Sequence, residues 1–292
     1  MTISIAWTRT ISGCEELIFV TDSRLSDGTN FDACPKALTL PRQDCAIAFA
    51  GYTGHAYPMM HQLALAIDAH APLLRGSLDL PAVKTHALKI FKSMAEQIQS
   101  SDGMSVPAET SPEAEFLFGG YSWIKKQFEL WRISYNKGVK MFRADPAQFV
   151  CFSPKLGRVM IRATKSPSDP RLGQIAFAGD QAPVARKMLL DRLNSGDPSK
   201  AVLDWAPFEV VRDMLRSPLR SETIGGSPQI VKVYQYMRTA SLAVYWPDKA
   251  GGVPHLQGRA LLGYERTEKF ILDPDLLRSE AHSPNVRATT SA

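Results

Sequence analysis

Thr2-Ile3-Ser4-Ile5-Ala6-Trp7 and Leu17-Ile18-Phe19-Val20-Thr21-Asp22-Ser23-Arg24 are the stretches on which the fold turns. In the first, Ile3, Ile5 and Trp7 alternate with Thr2, Ser4 and Ala6, the two-residue period of a half-buried strand. The second is a short apolar run that ends in polar residues. Ser26-Asp27-Gly28-Thr29-Asn30 is turn chemistry. Residues 37–40 and 45–50 read as two more strands, and Gly51 closes the last of them.

Helices follow. Residues 54–70 carry Met60, Leu63 and Ile67 on one face, and Pro58 belongs in a first turn, so the helix is expected to start a few residues late. A second helix is marked by Asp79 as cap, Pro81 in its first turn and a stripe of Val83, Ala87, Ile90, Met94 and Ile98. The polar stretch 100–113 reads as a loop. Strand patterns resume at 116–119, 128–133, 138–142, 149–152, 159–161 and 175–178. Helices are expected over 183–193 and 199–215, the second broken before Pro207, and final strands over 230–236 and 242–245. Strands, helices, strands, helices, strands is an α+β order, not a parallel βαβ repeat. The expected organisation is one domain over 1–273 and a flexible tail over 274–292, where Ser, Ala, Thr and Asn take over.

Composition narrows the function classes. The 292 residues are 45% hydrophobic and 22% charged, enough for a full core and ordinary for a soluble protein. No apolar run reaches the ~20 residues of a membrane helix, and no signal peptide is apparent, so a cytoplasmic location is expected. The net charge of +5 has no dense basic block behind it, which argues against nucleic acid as partner. Cys14, Cys34, Cys45 and Cys151 form no CxxC pair, and the six histidines show no metal spacing. No metal or organic cofactor is implied. GxSxG, HExxH and GxxxxGK motifs are absent.

The N-terminus remains. Removal of an initiator methionine before a small residue would give Thr2 a free α-amine beside its own hydroxyl. A hydroxyl needs a base to become a good nucleophile, and an α-amine, with an ordinary pKa of about 7.7–8.0, suits that task near neutrality.

With these features the chain resembles the proteasome β-subunit family and its bacterial relatives, which are N-terminal-nucleophile (Ntn) hydrolases. The resemblance begins at Thr2-Ile3-Ser4-Ile5-Ala6 and continues through Ile18-Phe19-Val20-Thr21-Asp22-Ser23-Arg24. It includes Lys36 before Ala37-Leu38, Ile47-Ala48-Phe49-Ala50-Gly51-Tyr52-Thr53-Gly54-His55-Ala56 and Phe118-Gly119-Gly120-Tyr121. Ile175-Ala176-Phe177-Ala178-Gly179-Asp180 and Thr223-Ile224-Gly225-Gly226 before Ile230-Val231-Lys232-Val233 complete it.

The resemblance implies a four-layer αββα sandwich of two mainly antiparallel sheets flanked by helices. It makes Thr2 the nucleophile, Asp22 and Lys36 an acid–lysine pair beside it, and Gly51 the source of an oxyanion-hole N–H. It implies a threonine-type peptidase acting on peptides or unfolded proteins, a homo-oligomeric ring or related assembly, and a possible ATP-dependent unfoldase partner. Three positions depart from the family. Asp180 stands where a serine is usual, and Ser221 and Ile224 stand where an aspartate and a serine precede the double glycine. Asp180 can still accept a hydrogen bond from the Thr2 amine, with Ser221 or Thr223 assisting. A non-catalytic scaffold subunit and a small-molecule Ntn amidase are the alternative readings.

Overall fold

The computed structural model describes residues 2–27, 29–98, 112–164, 169–217, 223–236 and 238–281. In chain order its elements are β1 (Ser4–Ile11), β2 (Cys14–Thr21), β3 (Leu25–Asp27), β4 (Thr29–Phe31), β5 (Ala37–Thr39), β6 (Cys45–Gly51), α1 (Thr53–Ala69), α2 (Ala71–Leu74) and α3 (Leu80–Ala95). The second half adds β7 (Ala114–Ser122), β8 (Gln127–Asn136), β9 (Met141–Pro146), β10 (Gln148–Ser153), β11 (Arg158–Arg162) and β12 (Arg171–Ala178). It continues with α4 (Ala182–Leu193), α5 (Ala206–Arg216), β13 (Gln229–Tyr234), β14 (Arg238–Trp246), β15 (Val253–Leu256), β16 (Arg259–Ala260), β17 (Ile271–Leu272) and β18 (Ser279–Glu280).

The strands form two large sheets. One has 11 strands along the order β11-β10-β12-β1-β2-β13-β14-β15-β16, with β17 beside β14 and β18 beside β17; the other has 5, in the order β5-β6-β7-β8-β9. Pairing is antiparallel except for β14 with β17. Three apolar cores separate the layers. Met60, Leu63, Val83 and Phe91 of α1 and α3 pack on Phe49, Phe116 and Phe118 of the smaller sheet. Leu189, Phe208 and Val211 of α4 and α5 pack on Ile5, Trp7 and Ile175 of the larger. Between the sheets lie Ala6, Ala37, Ala46, Ala48, Ala50, Ala176 and Ala178 with Leu17, Phe19 and Leu117. This is an α+β sandwich with helices on its outer faces.

The inter-sheet core corrects one expectation. β1 is not half-buried: Ile3, Ile5 and Trp7 face α4 and α5, while Ser4 and Ala6 are also buried, under the second sheet. Ser4 spans the gap, its hydroxyl donating to Phe49 O at 2.9 Å. Small residues read as the polar side of a strand because their size, not their polarity, suits close sheet packing.

Other differences have local causes. α1 begins at Thr53, so Pro58 lies inside it and not in its first turn. The missing proline N–H forfeits one ladder bond, and the buried face of Met59, Met60 and Leu63 carries the helix through. Asp79 sits at the N-cap of α3 but its side chain caps nothing. It accepts instead from Ser122 Oγ (2.6 Å) and Trp123 N (3.1 Å) across the layer. The helix expected over 199–215 splits into a 3-10 turn at Pro198–Lys200 and α5, with Pro207 in the first turn of α5. Residues 100–111 of the expected loop lie outside the described residues. Residues 274–280, expected in the tail, are ordered by contacts with the body. Arg216 pairs with Asp275 (2.6 Å), Lys249 with Glu280 (2.7 Å), and β18 joins β17, so 274–280 belong to the folded body.

Candidate active site

Antiparallel pairing of β1 and β2 sets the start of one strand beside the end of the other. Ser4 lies opposite Thr21, so Thr2 and Asp22 meet just beyond the ladder. Lys36 arrives from the second sheet, in the segment leading into β5, with its carbonyl accepting from Phe49 N of β6 at 3.0 Å. Its ammonium donates to Thr2 Oγ1 and, at 2.9 Å, to Asp22 Oδ1. Thr2 Oγ1 in turn donates to Asp22 Oδ1. All three side chains are at most 1% exposed.

Two buried charges of opposite sign are tolerated only if they are paired and their remaining polar atoms are satisfied. Asp22 meets that condition. Its Oδ1 also accepts from Ile3 N (3.2 Å), and its Oδ2 accepts from Arg24 N (3.1 Å) and Gly225 N (3.2 Å). The carboxylate is therefore fixed by main chain on both sides of β2. The arrangement presents a threonine hydroxyl with an acceptor for its proton and a cation beside its oxygen.

Gly51 ends β6 in the left-handed region, at φ +103°. A Cβ there would stand 2.3 Å from Glu113 O. Tyr52 N donates to Glu113 O and Phe49 N to Lys36 O, so successive residues of β6 alternate between β7 and the Lys36 edge. By that alternation Gly51 directs its N–H to the Lys36 edge. Gly51, Lys36, Arg24, Phe31 and Tyr52 line one cleft of about 440 Å³. A second cleft of about 380 Å³, lined by Gly51, Glu115, Tyr135 and Asp180, adjoins it.

Asp180 follows β12, whose Ala178 pairs with Ser4. Its Oδ1 accepts from the Thr2 main-chain nitrogen at 2.7 Å. Its Oδ2 accepts from Thr223 Oγ1 and from Gln181 Nε2, each at 3.0 Å. Of the departing positions, Ile224 is buried in the helix-side core and makes no polar contribution. Ser221 lies outside the described residues. Asp180 and Thr223 occupy the place around the Thr2 nitrogen.

Two participants escaped the sequence reading. Gln229, at the start of β13, bonds main-chain groups on both sides of the site. Glu115 of β7 accepts from Gly179 N (3.2 Å), tying the smaller sheet to the Asp180 turn. Neither has a marker in the sequence, because each acts on residues remote along the chain.

Cys34 is a possible competing nucleophile by position, two residues before Lys36. Burial pushes its thiol up from the ordinary range, against the opposing influence of Tyr57 and Lys36. The thiol contacts Tyr57 Oη and stays protonated near neutrality, which makes it a poor nucleophile. Among the described residues no group of three or more His, Cys, Asp or Glu side chains could hold a metal ion. Nor is any helix among them long and apolar enough to cross a membrane. No protein-family model matches the chain. No curated protein matches it either.

Proposed function

We propose that this chain is a threonine-type N-terminal-nucleophile hydrolase of the proteasome β-subunit type, with the αββα fold of that superfamily, and that it cleaves peptide amide bonds. The observation that carries the reading is the meeting of Thr2, Asp22 and Lys36 in one buried hydrogen-bonded cluster at the head of β1. Residues chosen from separate stretches of sequence come together there, which supports the reading.

The reaction runs as follows. Loss of Met1 turns the Thr2 nitrogen, now bonded to Asp180, into an α-amine. The amine takes the Oγ proton while Oγ attacks the substrate carbonyl carbon, and the Gly51 N–H receives the developing oxyanion. The tetrahedral adduct collapses as the C–N bond breaks, and the ammonium returns its proton to the leaving amine. An ester on Thr2 Oγ remains. Water then attacks that ester and gives a proton to the amine. The ester C–O bond breaks, Oγ recovers its proton, and the carboxylic product departs. Lys36 holds Oγ in place and lowers its cost of carrying negative charge. A ring-like homo-oligomer, with access restricted to peptides or unfolded chains and an unfoldase as feeder, belongs to the same proposal.

Thr2→Ala tests it. Asp22 and Lys36 remain paired at 2.9 Å without the hydroxyl, so stability should fall by no more than about 1 kcal/mol. Hydrolysis of a peptide library by the purified variant should vanish while the thermal midpoint stays close to that of the parent. Turnover that survives in the pure variant would sink the assignment of Thr2.

A further inference from the structure

Gln229 is fully buried at the first residue of β13, opposite Thr21 of β2. Its amide oxygen accepts from Lys36 N at 2.8 Å and from Ala37 N at 3.3 Å. Its amide nitrogen donates to Cys34 O at 2.5 Å and to Asp22 O at 3.5 Å. One planar amide thus joins the segment that carries Lys36 to the strand end that carries Asp22, across the gap between the two sheets. Glutamine suits the task because its side chain offers two donor hydrogens and an oxygen with two lone pairs. Those capacities match two carbonyls and two N–H groups. A leucine of similar size would leave them unpaired in a water-free place.

The back of this tie is closed by the turn between β15 and β16. Gly258, at φ +88°, lies so close that a Cβ would stand 2.5 Å from Ser23 Cβ and 3.1 Å from Gln229 Nε2. Ser23 is itself fixed, its hydroxyl donating to Asp32 O (2.8 Å) and accepting from Ser227 N (2.9 Å). The turn therefore bears on two fixed residues next to the site while coming from the far edge of the large sheet.

We propose that Gln229 is a positioning residue that sets the distance between Lys36 and the Thr2–Asp22 pair, and that the β15–β16 turn holds it in that setting. This role presupposes the N-terminal-nucleophile reading given above. With the tie cut, the 34–37 segment keeps only its bonds from Phe49 N to Lys36 O and from Cys34 N to Ser23 O and its pairing at Ala37, so it can shift within that frame and draw Lys36 Nζ away from Thr2 Oγ. A displaced ammonium no longer opposes protonation of the amine, so the amine keeps its proton to a higher pH.

The test uses the full chain and a panel of peptide epoxyketones that differ in their first side chain. It measures the rate of Thr2 modification against pH, with thermal stability alongside. Gln229→Leu should slow modification by about 10²-fold, the cost of misplacing a reacting group by roughly 1 Å, and should move the acidic limb of the profile to higher pH. Gly258→Ala should act in the same direction. Gln229→Glu keeps the acceptor oxygen for Lys36 N but cannot donate to Cys34 O when ionised; it serves if the leucine variant does not fold, and it should slow the reaction, with the limb read from Gly258→Ala because a new carboxylate raises the limb by its charge alone. Ser122→Ala, remote from the site, should lower stability and leave the limb where it was.

A folded Gln229 variant with a rate within about twofold of the parent and an unmoved limb overturns the proposal, whereas modification of Thr2 in the parent keeps the nucleophile reading intact. A Ser122→Ala protein with the same slowed rate and shifted limb also overturns it, since general loosening would then explain the effect. Failure of every epoxyketone to modify Thr2 in the parent overturns the underlying reading instead.

Discussion

Lys36 is a buried cation whose charge is met at one side by Asp22 and which also donates to Thr2 Oγ1. A compact ammonium fits that space, and a planar guanidinium does not. Lys36→Ala should lower kcat by ~10²–10⁴-fold, the usual worth of acid–base assistance, and Lys36→Arg should not restore it. Near-normal kcat in the alanine variant would remove Lys36 from the site. Asp180 gives a prediction of opposite electrical sign. A carboxylate 2.7 Å from the Thr2 nitrogen favours the protonated, inactive amine. Asparagine keeps the acceptor oxygen and deletes the charge, so the amine loses its proton at lower pH. Asp180→Asn should therefore move the acidic limb of the pH–rate profile down; a limb that stays or rises contradicts the assignment. Thr2 was singled out as the residue that follows Met1, whereas Asp22 and Lys36 were marked only by the resemblance to the proteasome β-subunit family. Gln229 was marked by neither, because Lys36 N is 193 residues away in the chain and only folding brings them together.

Among the elements, the most legible in the sequence was one with a strong period, α3, whereas tertiary contacts decided much of the rest. Asp79 illustrates this. It has the residue type and position of an N-cap, yet its carboxylate is drawn to Ser122 Oγ and Trp123 N on β7 and the turn after it. Asp79→Ser, which retains a good capping residue, should still destabilise the fold by about 1–3 kcal/mol because the bonds to a charged acceptor are lost. Thermal denaturation decides the matter: full stability in Asp79→Ser would restore the capping explanation. Gly51 is a second case. Its φ of +103° and the 2.3 Å approach of a Cβ to Glu113 O leave no room for a side chain. Gly51→Ala should cost about 1–3 kcal/mol in strain and should disrupt turnover by shifting the edge that carries the Gly51 N–H. An alanine variant of unchanged stability and rate would show that this backbone conformation is dispensable.

At the scale of the molecule, alternation of helices and strands in the sequence was enough to read the α+β order, but not how the sheets face each other. That depends on Ala6, Ala46, Ala48, Ala50, Ala176 and Ala178, whose small side chains let two sheets approach and bring Lys36 of one to Thr2 of the other. Alanine carries no period strong enough to announce such a role. No strand was read in the stretch that holds β15 to β17, and 274–280 was read as tail, because these strands are too short for a pattern and are held by contacts such as Arg216–Asp275 and the turn at Gly258. The site is thus a product of assembly between two sheets and a late extension, and its central claim concerns the first residue left after Met1. The most direct test is the intact mass of the native full-length chain after exposure to a peptide epoxyketone, with the adduct located by peptide mapping. The account predicts a chain that lacks Met1 and carries one probe on Thr2. A chain that keeps Met1 and takes up no probe, or one that carries the probe on Cys34, would contradict it.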